Sequence, residues 1–414
     1  MSADRQAIVV SFAGDDPFSP RVQRAAHLAT ALERQFDFRV ERVPGQPGHA
    51  MGRFNATLPR RVARRAVGPL VLDSFEIPAR LTLRGWKPSG RGALLVGWPF
   101  SPIYVAASHL LAAGVPYVVD VGDPWALTEP APSPRFPRSR LLAWRRAKAA
   151  EAFLWRHAAA GVVTTESQAS SLRALFPDLN LLCRPNGYTP TAESVVQREP
   201  AHAASAGELR LVQFGSVNPA KLPIGGWLSR LRGAAGLTSV RFVNYGSVDR
   251  PELLQTQDPA VVVEIHDPVD WGRACRIARG FDAAVVVANR NPAELPSKSI
   301  QYLTLPVPRI AVTASRDPGE LGAFAAQRPG FIAIDVDSRE DIPRLIAHLR
   351  RAWSDEELSP PAGDSWAEVA REVVGFAIEA WDRTRAVGRL DHGEHVATAP
   401  EQRAGPLASR RGGS

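Results

Sequence analysis

Residues 93–121 read ALLVGWPFSPIYVAASHLLAAGVPYVVDV, and this stretch decides the fold. Two apolar runs, Ala93–Trp98 and Tyr117–Val121, bracket a segment at 101–114 whose apolar residues recur at helical spacing. Neither run alternates polar with apolar residues. Continuous apolar runs are what parallel strands need when helices cover both faces of their sheet. The unit repeats in both directions. Upstream lie Ala7–Phe12 and Phe38–Val43 with a helical pattern near 20–35; downstream, helical patterns near 138–158 and 167–176 flank Gly161–Thr165. After a polar stretch near 190–208 the alternation restarts with Arg210–Phe214, Val240–Tyr245, Val261–Ile265, Ala283–Ala288, Arg309–Val312 and Phe331–Ile334. The expected architecture is α/β: two consecutive doubly wound domains, residues 1–200 and 201–360, with a cleft between them. Trp366–Val387 is amphipathic and forms a C-terminal helix within 361–389. The Gly-, Pro-, Arg- and Ser-rich residues 390–414 read as a disordered tail.

Composition sets the class. A chain of 414 residues is long for one core and suits two domains, and 45% hydrophobic with 22% charged residues excludes wholesale disorder. Two cysteines, Cys183 and Cys275, make neither a disulfide framework nor a Cys-rich zinc site, and no metal-ligand cluster stands out. No apolar run approaches the roughly 20 residues that cross a bilayer, and the first residues lack a secretory pattern. A cytoplasmic chain is the expectation.

The net charge of +8 is concentrated in the first half: residues 51–150 carry 15 basic against 5 acidic side chains. Such a bias fits either contact with a polyanion or anionic membrane, or solvated helices in an arginine-rich chain. Within Leu58–Val67, Arg60, Arg61, Arg64 and Arg65 fall on one arc of a short helix. Leu58, Val62 and Ala66 fall on the other, a pattern shared by interfacial basic helices and by solvated faces over a core. No aromatic-interleaved basic motif points to nucleic acid. The cations are 46 arginines and only four lysines, Lys87, Lys148, Lys221 and Lys298, so a lysine can mark a site that wants a compact point charge.

Two of those lysines fall at turns suited to an anion. Gly215 ends the run Arg210–Phe214 and Lys221 follows six residues later in Gly-Ser-Val-Asn-Pro-Ala-Lys. A glycine at the carboxyl end of a parallel strand admits a ligand to the backbone, and the next helix points free N–H groups at it. Ala293–Leu303 reads Ala-Glu-Leu-Pro-Ser-Lys-Ser-Ile-Gln-Tyr-Leu, with Ser297 placed to cap a helix and Lys298 in its first turn. A cation there opposes the helix dipole unless an anion sits between them. Both lysines are expected to converge on one phosphate group.

Pro296-Ser-Lys-Ser-Ile-Gln-Tyr-Leu303, followed by Pro306-Val307-Pro308, resembles the donor-site helix of nucleotide-sugar glycosyltransferases with the GT-B fold, closest to retaining glycosyltransferase family 4. Ser19-Pro20-Arg21, Asp120-Val-Gly-Asp-Pro-Trp125, Gly161-Val-Val-Thr-Thr-Glu166 and Arg184-Pro-Asn-Gly187 resemble that group's segments in order, so that the resemblance spans about residues 6–385. It implies two Rossmann-like domains, an N-terminal acceptor side and a C-terminal donor side, with the last helix returning to the first domain. It implies metal-independent transfer of a sugar, with retention, from a nucleotide diphosphate-sugar co-substrate to a hydroxyl. The acceptor would be a glycan, a glycolipid or a small molecule. No cofactor is implied.

Carried over by position, Gly215, Ser216, Lys221, Ser297 and Lys298 would hold the donor diphosphate, Glu294 the sugar hydroxyls and Gln301 the ribose. Asp123 or Asp120 would orient or deprotonate the acceptor hydroxyl. Family surfaces like Arg60–Arg65 dock enzymes onto membranes bearing lipid-linked acceptors, here the inner face of the plasma membrane. Departures from the family pattern at Gly122, Ser216 and Gln301 admit a second reading, a catalytically degenerate GT-B domain that binds a partner. His266, after a strand, reads as structural.

Overall fold

The computed structural model describes residues 5–11, 20–44, 76–97, 100–122, 127, 138–190, 207–217, 223–234, 236–289, 291–314 and 318–394. Two six-stranded, wholly parallel sheets organise these residues.

The first sheet holds β1 (Gln6–Ser11), β2 (Arg39–Pro44), β3 (Gly92–Val96), β4 (Tyr117–Val121), β5 (Ala160–Val163) and β6 (Leu181–Cys183), in the order β2-β1-β3-β4-β5-β6. Its helices are α1 (Pro20–Arg34), α2 (Glu76–Thr82), α3 (Phe100–Ala112), α4 (Arg138–His157) and α5 (Glu166–Leu175). β3 and β4 are buried at every residue, in keeping with their mostly apolar runs, the exception being the buried Asp120 of β4. β6 was not foreseen; its three residues are too short to carry a pattern.

The second sheet holds β7 (Glu208–Phe214), β8 (Ser239–Tyr245), β9 (Val261–His266), β10 (Ala283–Val287), β11 (Arg309–Thr313) and β12 (Phe331–Asp335), ordered β12-β11-β10-β7-β8-β9. α6 (Ile224–Ala234), α7 (Trp271–Ala278), α8 (Ser299–Tyr302), α9 (Gly319–Ala326), α10 (Asp341–Arg350) and α11 (Asp355–Leu358) accompany it. The order is that of a doubly wound dinucleotide fold.

The last helix, α12 (Trp366–Glu394), buries Trp366, Val369, Val373, Val374, Ala377 and Trp381 among Leu28, Leu32, Leu94 and Val118 of the first unit. The chain thus leaves the first sheet, builds the second and returns. Gly187 makes the return possible: a β-carbon there would stand 2.7 Å from the Trp366 backbone. Tyr188 and Trp366 exchange backbone hydrogen bonds with the segment they join, and Arg184 pairs with Asp364 and Glu372. The helix continues through residues 390–394, part of the stretch read as disordered. Once its first turns are fixed by burial, each further residue adds a hydrogen bond at small entropic cost.

Candidate functional site

Each sheet has one point where successive strands depart in opposite directions, and there the carboxyl ends leave a crevice. In the first sheet it lies between β1 and β3, in the second between β7 and β10. The two crevices open onto the same cleft of about 370 Å³ between the domains. The first unit contributes Pro20 and Arg21 at the start of α1, Gly97 after β3, Gly122 after β4 and Thr164 after β5. The second contributes Gln213, Gly215 and Ser216 around the end of β7, Asn289 after β10, and Ser297 and Lys298.

Gly215 adopts φ +135°, which only glycine accepts readily, and the Lys298 side chain lies along it. A β-carbon at 215 would stand 3.2 Å from Lys298 Nζ and 3.3 Å from its Cδ. The ammonium faces the cleft, yet the surrounding protein shields it enough to lower its pKa from the ordinary lysine value. Ser216 Oγ shares a hydrogen bond of 2.7 Å with Ser247 Oγ.

The turn that carries Lys298 differs from expectation. Ser297 caps no helix. Lys298 itself is the residue before α8, without a side-chain cap, and α8 is a single turn of four residues. Arg309 holds the chain where it leaves that turn. Its buried guanidinium donates to the carbonyls of Tyr302 at 3.2 Å, Leu303 at 2.7 Å and Leu305 at 2.6 Å, Tyr302 O also accepting from Leu305 N–H at 3.0 Å. Burial pushes the Arg309 pKa below the usual arginine range. The Tyr302 hydroxyl accepts from Phe214 N–H at 2.6 Å and donates to Phe214 O at 3.2 Å, fixing the strand end just before Gly215.

Across the cleft, Arg21 packs beside Gly97, with its Cβ 3.7 Å from where a side chain at 97 would begin. Burial lowers the Arg21 pKa, and the opposite charge of Glu294 works against that shift. Glu294 accepts from Asn291 Nδ2 at 3.3 Å. Its charge acts on Arg21, and it is not among the residues lining the cleft.

Two of the expected site residues already have protein partners. Asp120 is fully buried, and Arg24 Nε donates to both its oxygens, at 2.8 and 2.9 Å. Arg24 continues to Pro185 O, Asn186 Oδ1 and Arg184 O, tying β4 to α1 and to the turn that leaves the first domain. Burial raises the Asp120 pKa, and the Arg24 charge and hydrogen bonds oppose that shift. This carboxylate lines the cleft and, with Arg24, anchors a strut between β4 and the turn that leaves the first domain. Gln301 does not line the cleft. Its amide accepts from Thr189 N–H and donates to Thr189 O, both at 3.1 Å, like one rung of a sheet. The linker backbone takes the hydrogen bonds expected for a ribose.

Other cross-domain bonds frame the site. Thr165 caps α5 and donates to Ala293 O at 2.9 Å; Ser167 N–H donates to Glu320 at 2.8 Å, a carboxylate placed at the positive end of α5. His266 is exposed, stacked on Tyr245 at 5.0 Å and bonded to Glu264 at 3.3 Å. Asp123, Lys221 and Arg60, Arg61, Arg64 and Arg65 lie outside the described residues. Among the described residues no group of three or more His, Cys, Asp or Glu gathers as a metal site, and no helix is long and apolar enough to cross a membrane.

Arg24, Tyr302 and Arg309 were not singled out from the sequence. Arg309, beginning an apolar strand, carried the one usable signal: an arginine where a buried residue is expected.

No family model matches the chain, and no curated protein matches it. Solved structures do. Sucrose-phosphate synthase from Thermosynechococcus elongatus superposes with a TM-score of 0.53 at 13% identity, over 95% of this chain and 100% of that one. A protein assigned as a UDP-N-acetylglucosamine 2-epimerase from Listeria monocytogenes gives 0.51 at 12%, over 90% and 95%. The fold is GT-B. At this identity the likeness speaks for the fold alone.

Proposed function

We propose that the chain is a glycosyltransferase that moves a sugar, with retention, from a nucleotide diphosphate-sugar to a hydroxyl. The acceptor is a glycan, a lipid-linked saccharide or a small molecule. The observation that carries this reading is the Lys298 ammonium lying over Gly215 at the switch point between β7 and β10, inside the interdomain cleft. Breaking the bond between the anomeric carbon and the diphosphate leaves negative charge on the phosphate. A preorganised cation in a shielded cleft stabilises that charge more strongly than water does. Lys221, six residues after Gly215 in the sequence, is the second candidate cation, and Asp123 or Asp120 is the candidate for the acceptor proton. The acceptor enters from the first domain, past Arg21, Gly97 and Gly122.

The test is turnover of UDP-, ADP-, GDP- and dTDP-sugars with extracts supplying acceptors, the product anomer being read by NMR. An inverted anomer overturns retention. A second reading, a catalytically degenerate GT-B domain that binds a partner, is favoured by Asp120 being held by Arg24 and Gln301 by Thr189. Nucleotide binding without hydrolysis or transfer on any donor supports it.

The basic bias of residues 51–150 and the pattern Arg60–Arg65 support peripheral contact with an anionic membrane from the cytoplasmic side. Each arginine near such a surface contributes about 1 kcal/mol. Co-sedimentation with anionic liposomes should fall when Arg60, Arg61, Arg64 and Arg65 are all changed to Gln, and equal sedimentation overturns the contact.

A further inference from the structure

β7 reads Glu-Leu-Arg-Leu-Val-Gln-Phe, and one residue in its inner half breaks an otherwise apolar run. Gln213 is 5% exposed and lines the cleft, yet its Oε1 meets no hydrogen-bond donor among the described residues. Gln213 precedes Gly215 by two positions, next to the crevice between β7 and β10, and Asn289 lines the same cleft after β10. Leu209 and Leu211, on the same side of the strand by its alternation, belong to an apolar core cluster.

An orphan acceptor of this kind is costly to the free protein. Leucine or methionine would fill the position without leaving a buried polar atom, so packing does not explain the amide. A ligand does. The bare oxygen is an acceptor, and a phosphate offers only further acceptors, so it does not face the diphosphate. It needs an O–H or N–H donor placed beside the phosphate that Lys298 attracts.

We infer that Gln213 is a specificity-determining residue of the donor site, accepting a hydrogen bond from a hydroxyl of the transferred sugar. This inference rests on the donor-site reading above and adds to it the group that tells a nucleotide-sugar from the bare nucleotide. A site that hydrogen-bonds a substrate hydroxyl discriminates strongly against ligands that lack one, because its own buried group is then unpaired.

The experiment uses the full chain and the near-isosteric substitution Gln213→Met. Melting temperature is measured without ligand. Affinities are measured by calorimetry for UDP, GDP and ADP and for UDP-glucose, GDP-mannose and ADP-glucose, beside wild type and Lys298→Ala. The expected result is an unliganded melting temperature raised by roughly 2–4 °C, since a buried unpaired amide is removed. Affinity for the nucleotide-sugar that wild type prefers should fall about tenfold, with affinity for its nucleoside diphosphate unchanged. An unchanged nucleotide-sugar affinity, an equal loss for both ligands, or a lowered melting temperature each overturns the inference.

Failure of the donor-site reading looks different: wild type then binds none of the six probes, or Lys298→Ala binds them as well as wild type does. The ligand-free melting temperature still decides whether the Gln213 oxygen is unpaired in the folded chain.

Discussion

Lys298 lies along Gly215, its Nζ 3.2 Å from where a β-carbon of residue 215 would stand. Strand end and lysine thus share one small volume at the cleft, and a side chain at 215 would compete with the ammonium for it. Gly215→Ala should move the lysine and strain a backbone at φ +135°. The expected stability loss is about 1–3 kcal/mol, with weaker nucleoside diphosphate binding. Urea denaturation and calorimetry on the same variant measure both, and full affinity would show that the lysine position is irrelevant to the anion.

Removing Arg24 should be severe. Arg24→Met leaves the Asp120 carboxylate buried without its partner, and losses of about 3–5 kcal/mol are typical of that step. The double variant Arg24→Met with Asp120→Leu should recover much of the loss, because no buried charge remains. Equal instability of single and double variants in urea titrations would refute the assignment of Asp120 to a structural strut.

Gln301→Ala removes two hydrogen bonds to Thr189 and nothing that faces the cleft. Stability should fall by about 1 kcal/mol, in keeping with an exposed pair of bonds. Nucleoside diphosphate affinity should stay within twofold of wild type. A tenfold loss of affinity would return Gln301 to the ribose.

Arg309→Lys should not rescue the function of the guanidinium. One ammonium cannot reach the carbonyls of Tyr302, Leu303 and Leu305 in the planar fork that arginine provides. The Leu303 and Leu305 carbonyls left without a donor should cost about 2–4 kcal/mol. Hydrogen exchange across residues 299–305 should rise, and an unchanged exchange pattern would rule out this account of Arg309.

His348 gives a pH signature. Burial is the main cause that pushes its pKa down to about 4 from an ordinary 6.5, with the charges of Arg351 and Arg309 adding to the shift. The folded chain therefore resists a proton that the unfolded chain accepts. Stability is full above pH 6.5 and is lost as pH falls from 6.5 towards 4, by roughly 2–3 kcal/mol in all. His348→Gln should flatten the dependence in that window, and a slope unchanged by the substitution would count against it.

The sequence by itself determined eleven of the twelve strands. Apolar runs such as Val118–Val119 and Ile310–Ala311 are local, and a strand covered on both faces must be apolar along its length. The same locality placed Gly215 at a strand end and Lys298 in the turn after β10. Local signals do not extend to partners. The neighbours that redefine Asp120 and Gln301 are Arg24 and Thr189, 96 and 112 residues away in the chain. Only the folded chain shows that these polar groups are already spent on one another. The sequence shows Pro306 and Pro308 closing off a long helix there, but the Arg309 guanidinium that collects the carbonyls of Tyr302, Leu303 and Leu305 appears only in the folded chain. Gln213 is the reverse case. Its letter in an apolar strand was visible, but that its oxygen finds no partner among the described residues appears only in the folded chain. Hydrophobic periodicity fixes which residues go inside, whereas the satisfaction of a buried polar atom depends on what the rest of the chain brings to it.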